Sequence, residues 1–487
     1  MENDSSVFRH LRLLSVSERL LVLFFLLTLP LSNPWVRGDG VGYYGYARAI
    51  LIQHNLDFAP DYQHANTSFR ESRLDESGQP RSEYRTATGH LENHFTIGPA
   101  ILWAPFLFAA HVCVLIARSF GASIAADGFS APYRIAMAFA TSLYGFFALF
   151  LAFRLAKKFV AERTALLATL AIWGGSSLAV YMYFNPSWSH AHSAFMVAVF
   201  FAYWLHTREG RTYAQWILLG AIAGLMLDVY YANVMLLVLV AVEALFVLRD
   251  SVERNRAAQI PSLLVSYALF AVALLAAFLP TLITKRIIYG ASTETGYIPI
   301  SAWHWTSPAF LQVLFSANHG LFSWTPLLLI SVVGIFLFSR KAPRVGVPVL
   351  ASVLAFYYFI ASYPDWAGIS SFGNRFFVSL TVFFVIGLAM ILQFLSDKFS
   401  SPRSAIFATV PLLLCFVIWN LGLMFQWGTH LIPARGAVSW SEVAENQFSV
   451  VPRRVSGLLE QYLFRRKDMM RNIEREDIEQ LKEHPTN

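Results

Sequence analysis

A single carboxylate among glycines is the residue of this chain best placed for acid–base chemistry. Asp39 lies in the stretch Arg37-Gly38-Asp39-Gly40, directly after the first long apolar segment. A carboxylate in such a place can accept the proton of a hydroxyl group and act as a general base. A surface carboxylate in a glycine turn is the plainer interpretation, and the sequence leaves both open.

Other polar and aromatic side chains in the connections between apolar segments are candidates for substrate binding. They are Arg37, Tyr43, Tyr44, Asp57, Asp61, His94, Arg134, Tyr230, Lys285 and Arg375. Arg134 and Arg375 each open an apolar segment, so their guanidinium groups could bind a lipid-linked phosphate at headgroup depth, or simply extend to the interface. Asp57 and Asp61 also fit ordinary turn chemistry. Lys285 ends an outward-going segment, so its ammonium group could also bind a phosphate or simply extend to the interface.

Histidines are frequent in these connections, but their spacing matches no metal-binding signature. His190 and His192 flank one residue, so on a helix they would point to different faces. Solvated or hydrogen-bonded histidines are the simpler interpretation. The sequence assigns no metal ligand, and the use of a divalent metal stays open. Cys113 and Cys415 both lie in apolar segments, so no disulfide is expected.

The composition indicates that lipid surrounds most of the chain. The 487 residues are 56% hydrophobic and 14% charged, with a mean hydropathy of +0.50. A water-soluble domain cannot bury so much apolar surface, and the repeated long apolar runs predict membrane-spanning helices. The net charge of +7 lies mainly in short connections between these runs, which is the bias of cytoplasmic loops. No nucleic-acid partner is therefore expected.

Eleven apolar segments are predicted to cross the membrane. They are residues 17–33, 133–156, 163–181, 190–206, 214–230, 232–248, 261–284, 323–339, 346–363, 375–395 and 404–426. Residues 97–117 are apolar too, but the later basic loops fall on the side of Arg9 and Arg12 only if that segment does not cross. Pro99 and Pro105 also weaken a straight helix there. We therefore predict a helix that lies in the outer interface or dips into it.

These segments define an all-α polytopic membrane protein with about eleven transmembrane helices. Residues 1–16 form a cytoplasmic N-terminus, residues 17–427 a membrane domain, and residues 428–487 a polar tail. Within the membrane domain, residues 34–132 form a long first outer loop with interfacial juxtamembrane helices. The count places the tail outside, although its arginines would suit the cytoplasm. An amphipathic helix is predicted over residues 456–482.

Three stretches resemble the GT-C superfamily of polytopic membrane glycosyltransferases, which includes protein O-mannosyltransferases and the lipid A aminoarabinose transferase. They are Gly38 to Tyr44 after the first helix, a helix, basic turn and helix from Arg134 to Ala168, and Trp366 to Phe377 with its Gly-Asn-Arg entry to a late helix. The segment from His94 to Pro99 is similar to the His-Pro-Pro opening of the family's juxtamembrane helix.

The resemblance implies transfer of a sugar from a polyprenyl-phosphate carrier, with inversion, at the outer face of a bacterial-type inner membrane. The acceptor would be a glycan, a lipid or a protein. Asp39 would stand at the catalytic carboxylate position, and Arg134 and Arg375 at positions suited to the carrier phosphate. Mannosyltransferases carry two adjacent acids where this chain has one acid followed by glycine. The second acid would be Asp57 or Asp61, or be absent, which leaves metal use and acceptor class open.

Two other functions fit a polytopic chain of this kind. A transporter or flippase of lipid-linked glycans would place charged groups near the middle of the bilayer and show an internal repeat. A membrane scaffold would use the outer loop and the tail to bind a partner. Transfer of sugar from a lipid-linked donor distinguishes an enzyme from both.

Overall fold

The computed structural model describes residues 14–253 and 260–483, and this part of the chain is almost wholly helical. The β contacts within it are two isolated bridges in the first loop. The predicted all-α class is therefore confirmed for the described residues. Arg9 and Arg12, on which the cytoplasmic N-terminus was predicted, lie outside the described residues, as do Arg254 and Arg256.

Fifteen helices of the described part have ten or more residues. In chain order they are α1 (Val16–Thr28), α2 (Asp39–Arg48), α3 (Gly98–Ser119), α4 (Ala131–Ala156), α5 (Glu162–Gly175), α6 (His190–Thr207), α7 (Tyr213–Val229), α8 (Val238–Glu253), α9 (Ile260–Tyr289), α10 (Leu327–Lys341), α11 (Pro343–Ser362), α12 (Thr381–Ser396), α13 (Pro402–Gly428), α14 (Val451–Phe464) and α15 (Arg466–Glu483). Shorter helices are Ala59–His64, Thr67–Arg73, Phe310–Phe315, Leu321–Trp324 and Trp440–Glu445, and tight helical turns at Tyr231–Leu237 and Arg375–Leu380 precede α8 and α12.

Each of the eleven predicted spans overlaps one of these helices. By length and composition, seven helical segments of the described chain can cross a membrane: Gly98–Ser119, Ala131–Ala156, Tyr231–Ser251, Ile260–Tyr289, Pro343–Ser362, Arg375–Ser396 and Arg403–Gly428. Six of these segments correspond to predicted spans, and the other, Gly98–Ser119, is α3. The remaining predicted spans fall on the shorter helices α1, α5, α6, α7 and α10.

The end of α1 and the start of α4 lie on the same side of the bundle. Arg154 Nε donates to Glu18 Oε1 at 2.8 Å at one end of the pair, and the hydroxyl groups of Ser32 and Ser142 lie 2.9 Å apart at the other. The two helices are therefore antiparallel. The first eleven residues of α4 extend beyond this point by roughly 16 Å, at 1.5 Å per residue. We call this end of the bundle the outer end, following the predicted topology.

Helix α3 runs beside the outer half of α4. Tyr144 Oη donates to the Leu102 carbonyl at 2.9 Å, and His111 Nδ1 lies 2.7 Å from the Tyr133 hydroxyl, so the two helices are antiparallel. Although α3 is long and apolar enough to span a membrane, it begins and ends on the side where α1 ends. This arrangement agrees with the predicted parity. The helix continues through Pro105, so the expected weakening at this proline is not seen.

Glycines allow α7 and α9 to approach each other closely. A Cβ atom added to Gly220 would lie 2.2 Å from the Phe270 carbonyl oxygen, and one added to Gly224 would lie 2.3 Å from that of Leu274. Two small residues four positions apart on one helix permit direct backbone contact, which stabilises helix pairs in lipid. Close packing of this pair positions the outer end of α9 against the first loop.

Replacement of Gly224 by leucine is expected to destabilise the bundle, because the new side chain must displace the α9 backbone at Leu274. We expect a loss of about 1–3 kcal/mol in the free energy of unfolding, measured as a lower midpoint of thermal unfolding in detergent. Gly457→Ala in α14 is the matched control, since no atom lies within 4 Å of the added methyl group. An unchanged midpoint for Gly224→Leu would contradict the close contact of the two helices.

Candidate active site

The first outer loop folds back onto the bundle at α2, whose first residue is Asp39. Gly38 immediately before it has a φ of 53°, a left-handed conformation that favours glycine. A Cβ atom at Gly38 would lie 3.2 Å from the Trp188 ring, and Trp188 Nε1 donates to the Arg37 carbonyl at 3.0 Å. These contacts hold the turn against the bundle. The Asp39 side chain is 30% exposed, so it is open to solvent at the amino end of a helix.

Asp39 and Arg375 form an ion pair across 336 positions of sequence. Arg375 Nη1 donates to Asp39 Oδ2 at 2.7 Å. The guanidinium group is 11% exposed and its central carbon lies 4.6 Å from the centre of the Trp188 ring. Arg375 Nε is buried and has no hydrogen-bond partner in the described part of the chain. The site therefore joins a partly exposed carboxylate to a nearly buried cation with an unused donor.

Phenol groups surround this pair. Tyr43, one turn after Asp39, accepts a hydrogen bond from Ser189 Oγ at 2.9 Å. Burial raises the pKa of Tyr43, and the Asp39 charge raises it further. Loss of hydration likewise raises the pKa of Tyr297, with Asp39 among the neighbouring groups that add to the shift. Both phenols therefore keep their protons at neutral pH and can donate hydrogen bonds to a substrate. Other tyrosines within electrostatic reach of the pair are Tyr181, Tyr230 and Tyr363.

The two acids suggested as a second carboxylate lie elsewhere. Asp61 is buried and accepts a hydrogen bond from Arg48 Nε at 2.7 Å, which pairs α2 with the following turn of the loop. Asp57 is exposed, and its Oδ1 accepts from the backbone of Ala59 at 3.0 Å. Neither forms a hydrogen bond with Asp39 or its partner. Both residues make contacts within the loop, and their predicted role in substrate binding stays a prediction.

Lys285 and Tyr44 also hold the loop in place. Lys285 is completely buried, and its Nζ donates to the carbonyls of Asn93 at 2.5 Å and Phe95 at 2.9 Å. The Tyr44 hydroxyl donates to the Gly128 carbonyl at 2.6 Å. These polar atoms are bonded within the protein, and the predicted contacts of both residues with a substrate stay a prediction.

Arg134 and His94 stay candidates for substrate contact. Arg134 lies in the first turn of α4, and its Nε is buried without a hydrogen-bond partner among the described residues. It forms no hydrogen bond or ion pair with Asp39 or Arg375. The His94 ring packs 4.7 Å from that of Tyr297, and burial lowers the pKa of His94 to about 3, so it is neutral at physiological pH.

Sequence reasoning missed several neighbours of the ion pair. Trp188 and Asp365 both lie in connections predicted to face outside, but no spacing rule joins them to Arg375. Burial raises the pKa of Asp365, and the Arg375 charge opposes this shift. Tyr297 lies in a long connection without regular structure. Only the clustering of aromatic residues in the outer connections could have indicated these positions.

The donors present do not form a metal site. Within residues 14–253 and 260–483, no three His, Cys, Asp or Glu side chains are grouped closely enough to hold a metal ion. The charged partner of Asp39 is a guanidinium group rather than a second acid. The arrangement therefore does not fit a divalent cation bound by Asp39, and metal use stays untested.

The C-terminal helix α15 packs on the first loop next to the site. Arg37 Nη2 donates to Asp477 Oδ2 at 2.8 Å, so the predicted substrate ligand Arg37 is engaged by the tail. His430 bonds Glu476 at 2.8 Å and Asp477 at 3.1 Å. The tail thus lies at the same end of the bundle as Asp39, the outer end of the predicted topology.

Contact of α15 with His430 is expected to weaken at alkaline pH. Burial alone would lower the pKa of His430, but its bonds to Asp477 and Glu476 outweigh this and hold the pKa above its usual 6.5. A group whose pKa is raised on docking stabilises the docked state below its usual pKa, and this contribution is lost as the pH rises through the raised value. For Asp477, burial is outweighed by Arg37 and His430, and its pKa lies below the usual 3.8. Its contribution is therefore lost only as the pH falls through the lowered value.

Amide hydrogen exchange of α15, corrected for the intrinsic exchange rate, measures this docking. Protection is expected to be greatest between about pH 4 and 6.5 and to decline above that range. His430→Gln should abolish the decline and leave the protection of α4 unchanged. Protection of α15 that stays constant from neutral to alkaline pH in the native chain would contradict this coupling.

Comparison with known proteins gives a distant structural likeness. The chain is similar to the crystal structure of ArnT from Cupriavidus metallidurans in the apo state, with 12% sequence identity and a TM-score of 0.45, over 84% of this chain and 71% of that chain. No family model matches the chain, and no curated protein matches its sequence. The likeness to ArnT is a structural one only. At this TM-score it adds no argument about activity, which rests on the residues of the site.

Proposed function

We propose that this chain is a membrane glycosyltransferase of the GT-C type. It would transfer a sugar from a polyprenyl-phosphate donor to an acceptor at the outer face of a bacterial-type inner membrane. The observation that carries the proposal is the ion pair of Asp39 and Arg375 at the outer end of the bundle. The reaction needs a base that reaches water and a cation that meets a lipid phosphate, and this pair supplies both in one place.

Asp39 acts as the general base in this proposal. Its Oδ2 accepts the hydrogen bond from Arg375, which leaves Oδ1 for the acceptor hydroxyl. Oδ1 takes the hydroxyl proton while the hydroxyl oxygen attacks the anomeric carbon of the donor sugar. The bond from that carbon to the phosphate oxygen breaks, the carbon inverts, and polyprenyl phosphate leaves with the bonding electrons.

Arg375 stabilises the leaving phosphate. Its Nη1 is bonded to Asp39, and its Nε–H has no partner among the described residues. That second donor can bind a phosphate oxygen whose negative charge grows as the sugar bond breaks. A charge-assisted hydrogen bond of this kind is strongest where water is excluded, as it is around this largely buried side chain.

Arg134 supports binding of the donor lipid at the side of the bundle. The residues next to it on α4 face lipid, since Ile135 is 56% exposed and Phe139 is 39% exposed, and Phe108 on α3 is 61% exposed. A polyprenyl chain along this surface would lie beside the Arg134 guanidinium, while its phosphate binds Arg375. The tyrosines around Asp39, including Tyr43 and Tyr230, would bind the sugar hydroxyls.

Transfer from defined donors tests the proposal. The purified protein is reconstituted in liposomes with a panel of labelled polyprenyl-phosphate sugars and with glycan, lipid and protein acceptors. We expect protein-dependent release of polyprenyl phosphate and appearance of label on one acceptor class. The same assay with a chelator measures metal dependence. Movement of intact donor between leaflets without cleavage of the sugar–phosphate bond would instead favour a transporter or flippase.

A further inference from the structure

We infer that α14 lies in the lipid–water interface at the outer end of the bundle and anchors the C-terminal tail to the bilayer surface. This role is independent of the transferase activity. It concerns residues that contact neither Asp39 nor Arg375. It follows from the distribution of apolar and charged side chains around the helix. It follows also from the contacts of its two ends with the apolar helices α13 and α1.

The protein covers only part of the apolar face of α14. Tyr462 is 8% exposed, and its hydroxyl donates to the Leu31 carbonyl at 2.7 Å. Next to it on the same face, a strip of three aliphatic side chains spaced by four residues is open: Val455 is 42% exposed, Leu459 is 47% exposed and Leu463 is 38% exposed. With 3.6 residues per turn, these three positions align along the helix. Within residues 14–253 and 260–483, neither hydrophobic core cluster includes these three side chains.

The turn before α14 lies against the lipid-facing side of α13. Gln447 Nε2 donates to the Ile418 carbonyl at 3.3 Å, and its side chain occupies the space that a Cβ atom at Gly422 would need. Ile418 precedes the end of α13 at Gly428 by ten residues, about 15 Å along the helix axis. Ile418 is 61% exposed and Phe448 is 77% exposed. Open apolar side chains on the flank of a long apolar helix are typical of a surface that faces lipid.

The other end of α14 reaches the outer end of α1. Arg466, the first residue of α15, donates from Nη1 to the Ser32 carbonyl at 2.5 Å and from Nη2 to the Pro30 carbonyl at 2.7 Å. The α1 helix itself presents an open apolar surface, with Leu23 at 51% and Leu27 at 69% exposure. The aliphatic strip therefore runs between two open apolar surfaces, one on α13 and one on α1.

Charge on the remaining surface of α14 favours a bilayer as the occupant. Arg453 and Arg454 near the start and Arg465 just after the end are all exposed. An amphipathic helix with an apolar strip and flanking arginines lies in the plane of the interface, with its cations among anionic headgroups. Anchoring at this depth would place α15, with Asp477, against Arg37 on the first loop.

Site-directed spin labelling in lipid nanodiscs that contain anionic phospholipid tests the inference. The background carries Cys113→Ala and Cys415→Ala, because both cysteines are exposed. One label is placed by Leu459→Cys on the aliphatic strip. The control label is placed by Gln461→Cys, an exposed polar position about 200° further round the helix. Val455→Cys provides a second position on the strip if the first variant does not fold.

Collision rates with molecular oxygen, which concentrates in lipid, and with a water-soluble nickel chelate give the outcome. We expect the label on the strip to collide more often with oxygen and less often with the nickel chelate than the control label does. Equal access to nickel at both positions would overturn the inference, because α14 would then lie in water. Shielding of the strip label from both reagents would overturn it too, because a protein surface such as a second copy of the chain would cover the strip.

Discussion

Replacement of Asp39 by asparagine is expected to lower the rate of sugar transfer by about 10²- to 10⁴-fold, the range that a general base contributes. Asparagine has nearly the same volume, and its carbonyl oxygen can accept the hydrogen bond that Arg375 makes at 2.7 Å. The geometry of the hydrogen bond from Arg375 is therefore largely retained while the proton acceptor is removed. The rate of polyprenyl phosphate release in proteoliposomes at saturating donor measures the effect.

Asp75→Asn is the matched control for this substitution. Asp75 is an exposed carboxylate of the same loop, and its Oδ1 accepts from Ser77 and Gln79 in a turn, contacts that asparagine preserves. This variant should transfer sugar at the native rate. Native activity in Asp39→Asn would eliminate Asp39 as the base. Equal losses in both variants would indicate general damage to the loop, which the thermal unfolding midpoints would reveal.

Arg375→Lys is expected to lower kcat/KM for the donor by about 10²- to 10³-fold, the loss observed when one donor to a developing negative charge is removed. Lysine keeps the charge but presents it at a single point. It cannot bond Asp39 and a phosphate oxygen as the separate Nη1 and Nε groups of arginine can. The three donors of the ammonium group share one nitrogen, which cannot stand at both the Nη1 and Nε positions, so at least one of the two contacts is expected to weaken. The measured quantity is the initial rate over a range of donor concentrations.

An arginine of the first outer loop separates this effect from a general consequence of exchanging arginine for lysine. Arg70 is exposed on the Thr67–Arg73 helix, and Arg70→Lys should leave the donor dependence unchanged. If Arg375→Lys retained the native kcat/KM, the guanidinium would have no role beyond holding Asp39. A change in KM for the acceptor alone would place Arg375 on the acceptor side of the site.

Local sequence was sufficient to locate the apolar helices, because an apolar helix forms within one continuous segment. Seven helical segments of the described chain, α3 among them, are long and apolar enough to cross a membrane. Each predicted span overlaps a helix of the structure, and the first loop and tail follow as the long polar remainder. The position of Asp39 just beyond the first helix and of Arg375 at the entry to a late helix was predicted by the same reasoning. The charge bias between the segments also predicted that residues 97–117 begin and end on the same side of the bundle.

The partners of the charged residues were decided by the tertiary structure alone. Nothing in the short stretch around Asp39 indicates that its carboxylate meets a guanidinium 336 positions away, whereas Asp61, with the same chemistry, is neutralised by Arg48 within its own loop.

Lys285 and Arg134 show the same limit of local reasoning. Lys285 Nζ donates to two backbone carbonyls, whereas the buried Nε of Arg134 has no hydrogen-bond partner among the described residues. The physical reason is that span formation depends on the transfer of one segment into lipid, a local quantity. The pairing of polar groups depends on which helix ends are brought together by packing, such as the glycine contact of α7 with α9. The sequence by itself therefore determined which segments form apolar helices and which acid is the candidate base, and the packing of the helices decided which cation stands beside that acid.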